Sequence, residues 1–220
     1  MDCLTIAAIR RTRNGSVTVC LDNGTDFTLD RDAAVEAGLH EGQKMSYDTI
    51  EQLKDSDLVL RALNCALRYL EPRPRSEREI RARLNRQLYD ADTIENTLTR
   101  LKSRGLVDDA AFAQFWRENR TSFRPISQRL LTLELKQKGI DADTIAEAIA
   151  DIDDERSAYH AACRKARSLS GLEYPAFAKR LGSFLRRRGF GYEVTARTID
   201  RVWEEQGNPQ PDQPVTQKGI

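Results

Sequence analysis

Apolar residues recur at three- and four-residue spacings through most of this chain, which predicts amphipathic helices. One such ladder occurs three times, at intervals of about fifty residues, as expected of a helical repeat. The ladders are Ile80, Leu84 and Leu88, then Leu131, Leu135 and Gly139, and finally Leu181, Leu185 and Gly189. Residues four apart lie on one helix face, and the two glycines stand where a left-handed cap would end the helix. The pattern therefore predicts three repeated helical units.

The pentapeptide DADTI follows the first ladder at residues 90–94 and the second at residues 141–145. At the third position it is replaced by GYEV, and terminal units commonly diverge because only one of their sides packs on a neighbour. Ser76 with Glu79, and Asp92 with Glu95, have the spacing of a capping box, which predicts two helix starts. Units with repeated start signals usually stack into an elongated, curved body that binds something long.

Each repeat is predicted to contain three helices. In the first repeat, a helix over residues 57–71 ends before Pro72 and Pro74, which break it. In the second, Asp108 is expected to cap the first helix, which ends before a turn at Arg124-Pro125. The three predicted repeats span residues 57–107, 108–153 and 154–206.

Residues 1–56 follow a different pattern, with Asn14-Gly15 and Asn23-Gly24 separating β-branched or alternating runs. Such dipeptides are strong hairpin signals, so we predict a small three-stranded meander. Its strands would cover residues 4–13, 16–22 and 25–29, followed by short helices over residues 31–37 and 47–53. So small a sheet is marginally stable alone, and we expect it to pack on a helix of its own or on the first repeat. The polar residues 207–220 are predicted to be disordered.

The composition fits a thin, highly exposed helical body, since the mean hydropathy is −0.60 and 31% of residues are charged. The sequence has no apolar run of about twenty residues that could cross a membrane, and its first residues lack the basic start of a secretory signal. The four cysteines, Cys3, Cys20, Cys65 and Cys163, form no Cys-x-x-Cys pair. We expect them to be small buried thiols in a reducing compartment, and the protein to be cytoplasmic.

The net charge is only +1, but the charges are distributed unevenly. Residues 1–56 are rich in acids, whereas the middle helices of the first and third repeats carry basic stripes. The interface candidates are Arg73, Arg75, Arg78, Arg81, Arg86, Lys179, Arg180, Arg186, Arg187 and Arg188. Such stripes suit DNA phosphates or an acidic protein groove. The alternatives are an ordinary solvated helix face, and an autoinhibitory acidic module folded over the basic repeats.

Other candidate chemistry is weak. Phe112, Phe115 and Trp116 would suit base stacking, but their helical spacing favours core packing. His160 and Cys163 are too few ligands for a metal site. The acids at 108–109 and 153–155 stand at predicted helix starts, where capping is favoured over a two-metal nuclease site. The sequence has no phosphate-binding glycine loop and no nucleophile elbow, so we expect no metal, no cofactor and no enzymatic activity.

Four segments, in order, resemble the motifs of the RecX family. They are RPRSEREIR at residues 73–81, GLVDDAAFA at 105–113, ELKQKGI at 134–140 and LRRRGF at 185–190. Together they cover about residues 58–205, and their order and spacing make the resemblance specific. The β-rich module resembles an extension found in only part of the family. One departure is Leu88-Tyr89, where the family usually has a glycine followed by an aromatic residue.

The resemblance implies a non-enzymatic regulator of the RecA recombinase that binds along the RecA–DNA filament and limits its extension and activity. The implied partners are the RecA filament and, more weakly, single- or double-stranded DNA through the basic stripes. We expect a monomer that does not bind membranes. The alternative is a free-standing DNA-binding protein in which a three-helix unit acts as a helix-turn-helix reader.

Overall fold

The computed structural model describes residues 3–12 and 15–206. The predicted disordered tail and residues 13 and 14 of the first predicted hairpin lie outside the described residues. The chain divides into two compact units, Met1–Asp108 and Asp109–Ile220. The first holds a small sheet and the first repeat, and the second holds the other two repeats. The described part is mainly helical, as predicted, with ten α-helices and one four-stranded sheet.

The N-terminal sheet is antiparallel with the strand order β3-β2-β1-β4. Its strands are β1 (Cys3–Arg11), β2 (Ser16–Leu21), β3 (Asp26–Asp30) and β4 (Lys44–Ser46). The first three confirm the predicted meander, and the short helix α1 (Arg31–Glu36) follows as expected. The sequence analysis missed β4 because three residues are too few to show an alternating pattern. Ile6, Val19 and Leu29 form the buried face.

Helix α2 (Tyr47–Leu70) is continuous, so the prediction of two separate helices over residues 47–53 and 57–71 is wrong. The intervening residues are polar but include neither glycine nor proline, and nothing there breaks a helix. Ile50 packs in the core of the sheet, whereas Leu63 packs in the core of the first repeat. The expected packing of the sheet on a helix is confirmed, and residue 56 falls inside that helix.

A buried carboxylate joins the sheet to α2. Asp57, only 3% exposed, accepts a hydrogen bond from the Asp30 backbone N–H at 2.5 Å and pairs with Arg61 Nε at 2.7 Å. Burial raises the pKa of Asp57, although the Asp30 hydrogen bond and Arg61 oppose this rise. Removing the carboxylate would leave the Asp30 N–H without that acceptor, so Asp57 fixes the sheet on the helix.

The three helical repeats are present as predicted. The first continues from α2 with α3 (Glu77–Arg86) and α4 (Ala91–Ser103). The second consists of α5 (Asp109–Phe123), α6 (Gln128–Gln137) and α7 (Ala142–Ile149). The third consists of α8 (Asp154–Ala166), a 3₁₀ turn (Arg167–Leu169), α9 (Tyr174–Arg187) and α10 (Tyr192–Glu205). Each repeat has its own apolar core, with Leu84, Leu135 and Leu185 fully buried at equivalent positions.

The helix starts show what the repeated pentapeptide does. Its first residue is the N-cap in both copies: Asp90 accepts from the Thr93 backbone N–H at 2.8 Å, and Asp141 from that of Thr144 at 2.9 Å. The predicted capping box of Asp92 with Glu95 is therefore wrong, because Asp92 already lies inside α4. The capping box of Ser76 with Glu79 is confirmed.

Phe112 and Trp116 pack in the core of the second repeat as expected, whereas Phe115 is half-buried and lies outside that core. Phe112 is 1% exposed and stacks on Trp116, whose Nε1 donates to Glu134 at 2.7 Å. Trp203 is also buried and contacts Phe177. The four cysteines form no disulfide, but the expectation that they are buried is wrong: Cys3 is exposed, and Cys20, Cys65 and Cys163 are half-buried.

Leu88 departs from the predicted ladder. It is 91% exposed and has a φ of 63°, because α3 has already ended and Leu88 occupies the position held by Gly139 and Gly189 in the other repeats. Both glycines have a φ of 87° there. A leucine in this left-handed conformation is strained, whereas glycine adopts it freely.

We therefore expect Leu88→Gly to stabilise the protein by about 1 kcal/mol, because the released backbone strain exceeds the entropy that glycine adds to the unfolded chain. Urea unfolding followed by circular dichroism measures the difference. Leu106→Gly is the control, since Leu106 is exposed but has no positive φ, and it should bring no gain. Equal or lower stability of the Leu88 variant would contradict the strain at this turn.

Candidate phosphate-binding surface

Most of the basic candidates in the first repeat are engaged within the fold. Arg73 binds Glu79 through two hydrogen bonds of 2.9 and 3.2 Å, and Glu79 in turn completes the capping box of α3. Arg75 lies over the Tyr69 ring, 3.9 Å from its centroid, and donates to the Tyr69 carbonyl. Glu79 neutralises Arg73, whereas Arg75 keeps its charge but is held against Tyr69, so both support the structure around the start of α3.

Arg81 is the centre of an ion-pair network on the first repeat. It pairs with Glu77 at 2.8 Å and with Glu95, and Lys102 also binds Glu77, at 2.6 Å. Hydrogen bonds from Lys102 and Arg81 lower the pKa of Glu77, and the hydrogen bonds that Arg81 donates to Glu95 and Glu77 raise the pKa of Arg81. Arg78 and Arg86 are exposed, and no ion pair to either occurs within the described part of the chain. The basic stripe of the first repeat therefore reduces to Arg78 and Arg86.

The third repeat carries a basic concavity between the end of α8 and α9. Its volume is about 700 Å³, and Lys165, Lys179, Arg180 and Arg187 line it together with the Ser168 and Ser183 side chains. No carboxylate lines it. Arg180 and Arg187 lie seven residues apart on α9, which brings their side chains onto one face. Within the described residues, none of these four cations forms an ion pair. We call the surface that they line the basic concavity.

The three consecutive arginines after Leu185 have different surroundings. Arg187 lines the basic concavity, whereas Arg186 lines a groove between α9 and α10. Arg188 packs against the second repeat, where it donates to the Pro125 carbonyl at 2.9 Å, and its guanidinium lies 4.4 Å from the Phe184 ring centroid. Burial lowers the pKa of Arg188, and the nearby positive charges of Arg124 and Arg164 lower it further.

Two basic residues near the candidate surface were not among the predicted interface candidates. Lys165 completes the basic concavity, and Arg164 donates to the Ser122 carbonyl at 3.1 Å, beside Arg188. Both residues belong to a basic segment at the end of α8, and this segment can be recognised in the sequence. What the sequence does not give is the packing of that helix end beside α9.

Few other features of the described residues suggest chemistry. They contain no group of three or more His, Cys, Asp or Glu residues that could hold a metal ion. Among the acids expected to cap helices, Asp153 does so at the start of α8, where its side chain accepts hydrogen bonds from the backbone N–H groups of Glu155 and Arg156. Among the described helices, none has the length and apolar character needed to cross a bilayer.

The order of the repeats matches that of known proteins. The family model of the first three-helix domain of RecX matches residues 62–101, and that of the second matches residues 108–149. The regulatory protein RecX of Prosthecochloris aestuarii is 35% identical over 150 residues, covering 68% of this chain and 98% of the relative. The regulatory protein RecX of Streptomyces coelicolor is 32% identical over 154 residues, covering 69% of this chain and 82% of the relative.

Solved structures share the fold. A crystal structure of regulatory protein RecX has a TM-score of 0.61 at 20% sequence identity and covers 94% of this chain and 95% of its own. The crystal structure of RecX from Lactobacillus salivarius has a TM-score of 0.56 at 21% identity, covering 67% of this chain and 97% of its own. A match over 94% of this chain is longer than the three helical repeats together, so it includes part of the N-terminal module. Together with the sequence relatives, the shared repeats show that this chain belongs to the RecX family of regulatory proteins.

Proposed function

We propose that this protein is a non-enzymatic regulator of the RecA recombinase, which binds along the RecA–DNA filament and limits its extension, ATP hydrolysis and strand exchange. The family supports a regulatory role, and the resemblance of the sequence motifs supplies RecA as the partner. The observation that carries the contact with the filament is the basic concavity, whose cations have no carboxylate beside them.

Lys165, Lys179, Arg180 and Arg187 would bind phosphate oxygens of the filament's DNA or carboxylates on RecA. The Ser168 and Ser183 hydroxyls line the same surface and add neutral donors. Contacts of this type release counterions from DNA, so binding should weaken steeply as salt rises and should depend little on base sequence. Arg78 and Arg86 supply a second set of exposed cations on the first repeat.

Binding to three targets separates this function from that of a sequence reader. The protein would be titrated against RecA filaments on single-stranded DNA held by a non-hydrolysable ATP analogue, against the bare strand, and against duplexes of different sequence. We expect the tightest binding to the filament and weak, salt-sensitive binding to both DNAs. Tight discrimination among duplexes without preference for the filament would contradict the proposal and favour a helix-turn-helix reader.

A further inference from the structure

A second polar cleft lies in the other compact unit, between α2 and α3. Its volume is about 550 Å³, and the end of β3 contributes Asp30 to its wall. Arg61 and Arg68 reach it from α2, Arg83 reaches it from α3, and Tyr89 lies at the turn after α3. None of these residues belongs to the interface candidates of the basic stripes, so the cleft is not part of the filament contact proposed above.

Arg83 is the unusual residue of this cleft. Its Nε is buried, yet no group in the described part of the protein accepts a hydrogen bond from it. The guanidinium lies 5.8 Å from the centroid of the Tyr69 ring, which is a weak contact for a cation. Buried donors are nearly always paired, because an unmet one loses its hydration without compensation. The Nε itself has no accessible surface, so an acceptor in the cleft would reach Arg83 through the rest of its side chain, which lines the wall.

The carboxylates near the cleft are already engaged. Asp57 pairs with Arg61, and Asp30 accepts from the Asp32 backbone N–H at 2.9 Å as the N-cap of α1. Arg68 and Arg83 have no carboxylate partner among the described residues; Arg68 Nε donates only to the Asn64 carbonyl, at 3.2 Å. Two guanidinium groups that lack acids and line one cleft are donors suited to an oxyanion with several acceptor oxygens.

The remaining wall adds aromatic and amide groups. Arg75 contacts the face of Tyr69, whereas Tyr89 lines the cleft and makes no ring contact with any residue that the structure describes. Burial raises the pKa of Tyr89, which keeps its phenol neutral and able to donate. The Asn64 and Gln87 side chains carry both donors and acceptors, as the polar edge of a nucleobase requires.

We propose that this cleft binds a phosphate monoester joined to a nucleoside. The phosphate lies against Arg68 and Arg83, and the base lies beside Tyr89. A free nucleotide and the phosphorylated 5′ end of a DNA strand share this chemistry, and both fit a volume of this size. Because α2 also carries the sheet, the ligand would contact residues of both the N-terminal module and the first repeat.

Calorimetric titration of the full-length protein tests the cleft, with AMP, adenosine and a short oligonucleotide with and without a 5′ phosphate as ligands. We expect AMP or the phosphorylated oligonucleotide to bind, and the tighter of the two identifies the source of the phosphate. Arg83→Gln should weaken that binding about tenfold or more, as expected for the loss of a charged hydrogen bond. Arg100→Gln, at an exposed site on α4 that does not line the cleft, should change it less than about twofold.

Arg68→Gln is the second test, because Arg68 is exposed and its replacement should not disturb the core. It should also weaken binding, with unchanged far-ultraviolet circular dichroism. Equal affinity for AMP and adenosine, no binding of either phosphate ligand, or full affinity in both the Arg83 and Arg68 variants would overturn the assignment.

Discussion

Reversing the charges of Arg180 and Arg187 is expected to weaken binding to RecA–DNA filaments by about tenfold for each charge at physiological salt. Both side chains line the basic concavity and neither forms an ion pair in the described structure, so their replacement would remove the proposed contacts with the partner without breaking an ion pair of the fold. If they contact phosphates of a single strand, the dependence of log K on log salt concentration should also become shallower by about 0.7 for each lost contact.

The matched control is Arg129→Glu with Lys136→Glu, two exposed residues of α6 whose reversal changes the net charge equally. This control separates a local contact from long-range electrostatic attraction, which would weaken both double variants alike. Fluorescence anisotropy of labelled filaments at several salt concentrations measures both quantities. Equal losses in the two double variants would remove the basic concavity from the binding surface. Arg188 is unsuited to this test because it packs between the second and third repeats.

The second large effect is expected at Gly189, where the third repeat meets the second. The Ser127 backbone N–H donates to the Arg188 carbonyl at 3.0 Å, so the two chain segments are in close contact. A Cβ at Gly189 would meet Ser127 Oγ and would lie 2.7 Å from Leu130 Cβ, which has little freedom to move. The φ of 87° adds strain for any other residue. We expect Gly189→Ala to cost about 2–4 kcal/mol of unfolding free energy from these two sources.

Gly171→Ala isolates the backbone contribution. Gly171 has a φ of 79°, but an added Cβ would have no neighbouring atom within 4 Å. This variant should therefore lose only about 1 kcal/mol. Urea unfolding monitored by circular dichroism and by tryptophan fluorescence compares the two, since Trp116 and Trp203 report on the second and third repeats. If both variants lose the same free energy, the close contact at Gly189 contributes nothing.

The repeat architecture was predictable because its signals are local. Apolar ladders, the N-cap residues Asp90 and Asp141, and the capping box at Ser76 each act within one or two helical turns. Two errors at helix ends have the same origin: Leu88 and Asp92 were assigned by spacing alone, although the adjacent residues decide where α3 ends and α4 begins. Hydrophobic spacing predicts where a helix lies more reliably than it predicts the residue at which the helix ends.

Which candidate residues remain available to a partner depends on contacts between helices. The spacing of residues along the sequence does not reveal those contacts. Arg73 and Arg81 have the same appearance in the sequence as Arg78, yet Glu79 and Glu95 neutralise the first two. The sequence likewise gave no reason to separate Arg187 from Arg188, which face different surroundings. Charge clusters in a sequence therefore indicate where to look, and the acids on neighbouring helices decide which cations remain available to a partner.

The most direct test of the central proposal is RecA ATP hydrolysis on single-stranded DNA. Substoichiometric amounts of this protein would be added to preformed filaments and, separately, to filaments that are still growing, with the Arg180 and Arg187 double variant as comparison. We predict that the wild-type protein inhibits hydrolysis. The double variant should need a concentration about a hundredfold higher for the same inhibition, because each reversed charge is expected to weaken binding about tenfold. No inhibition by the wild-type protein at any ratio would contradict its assignment as a RecA regulator.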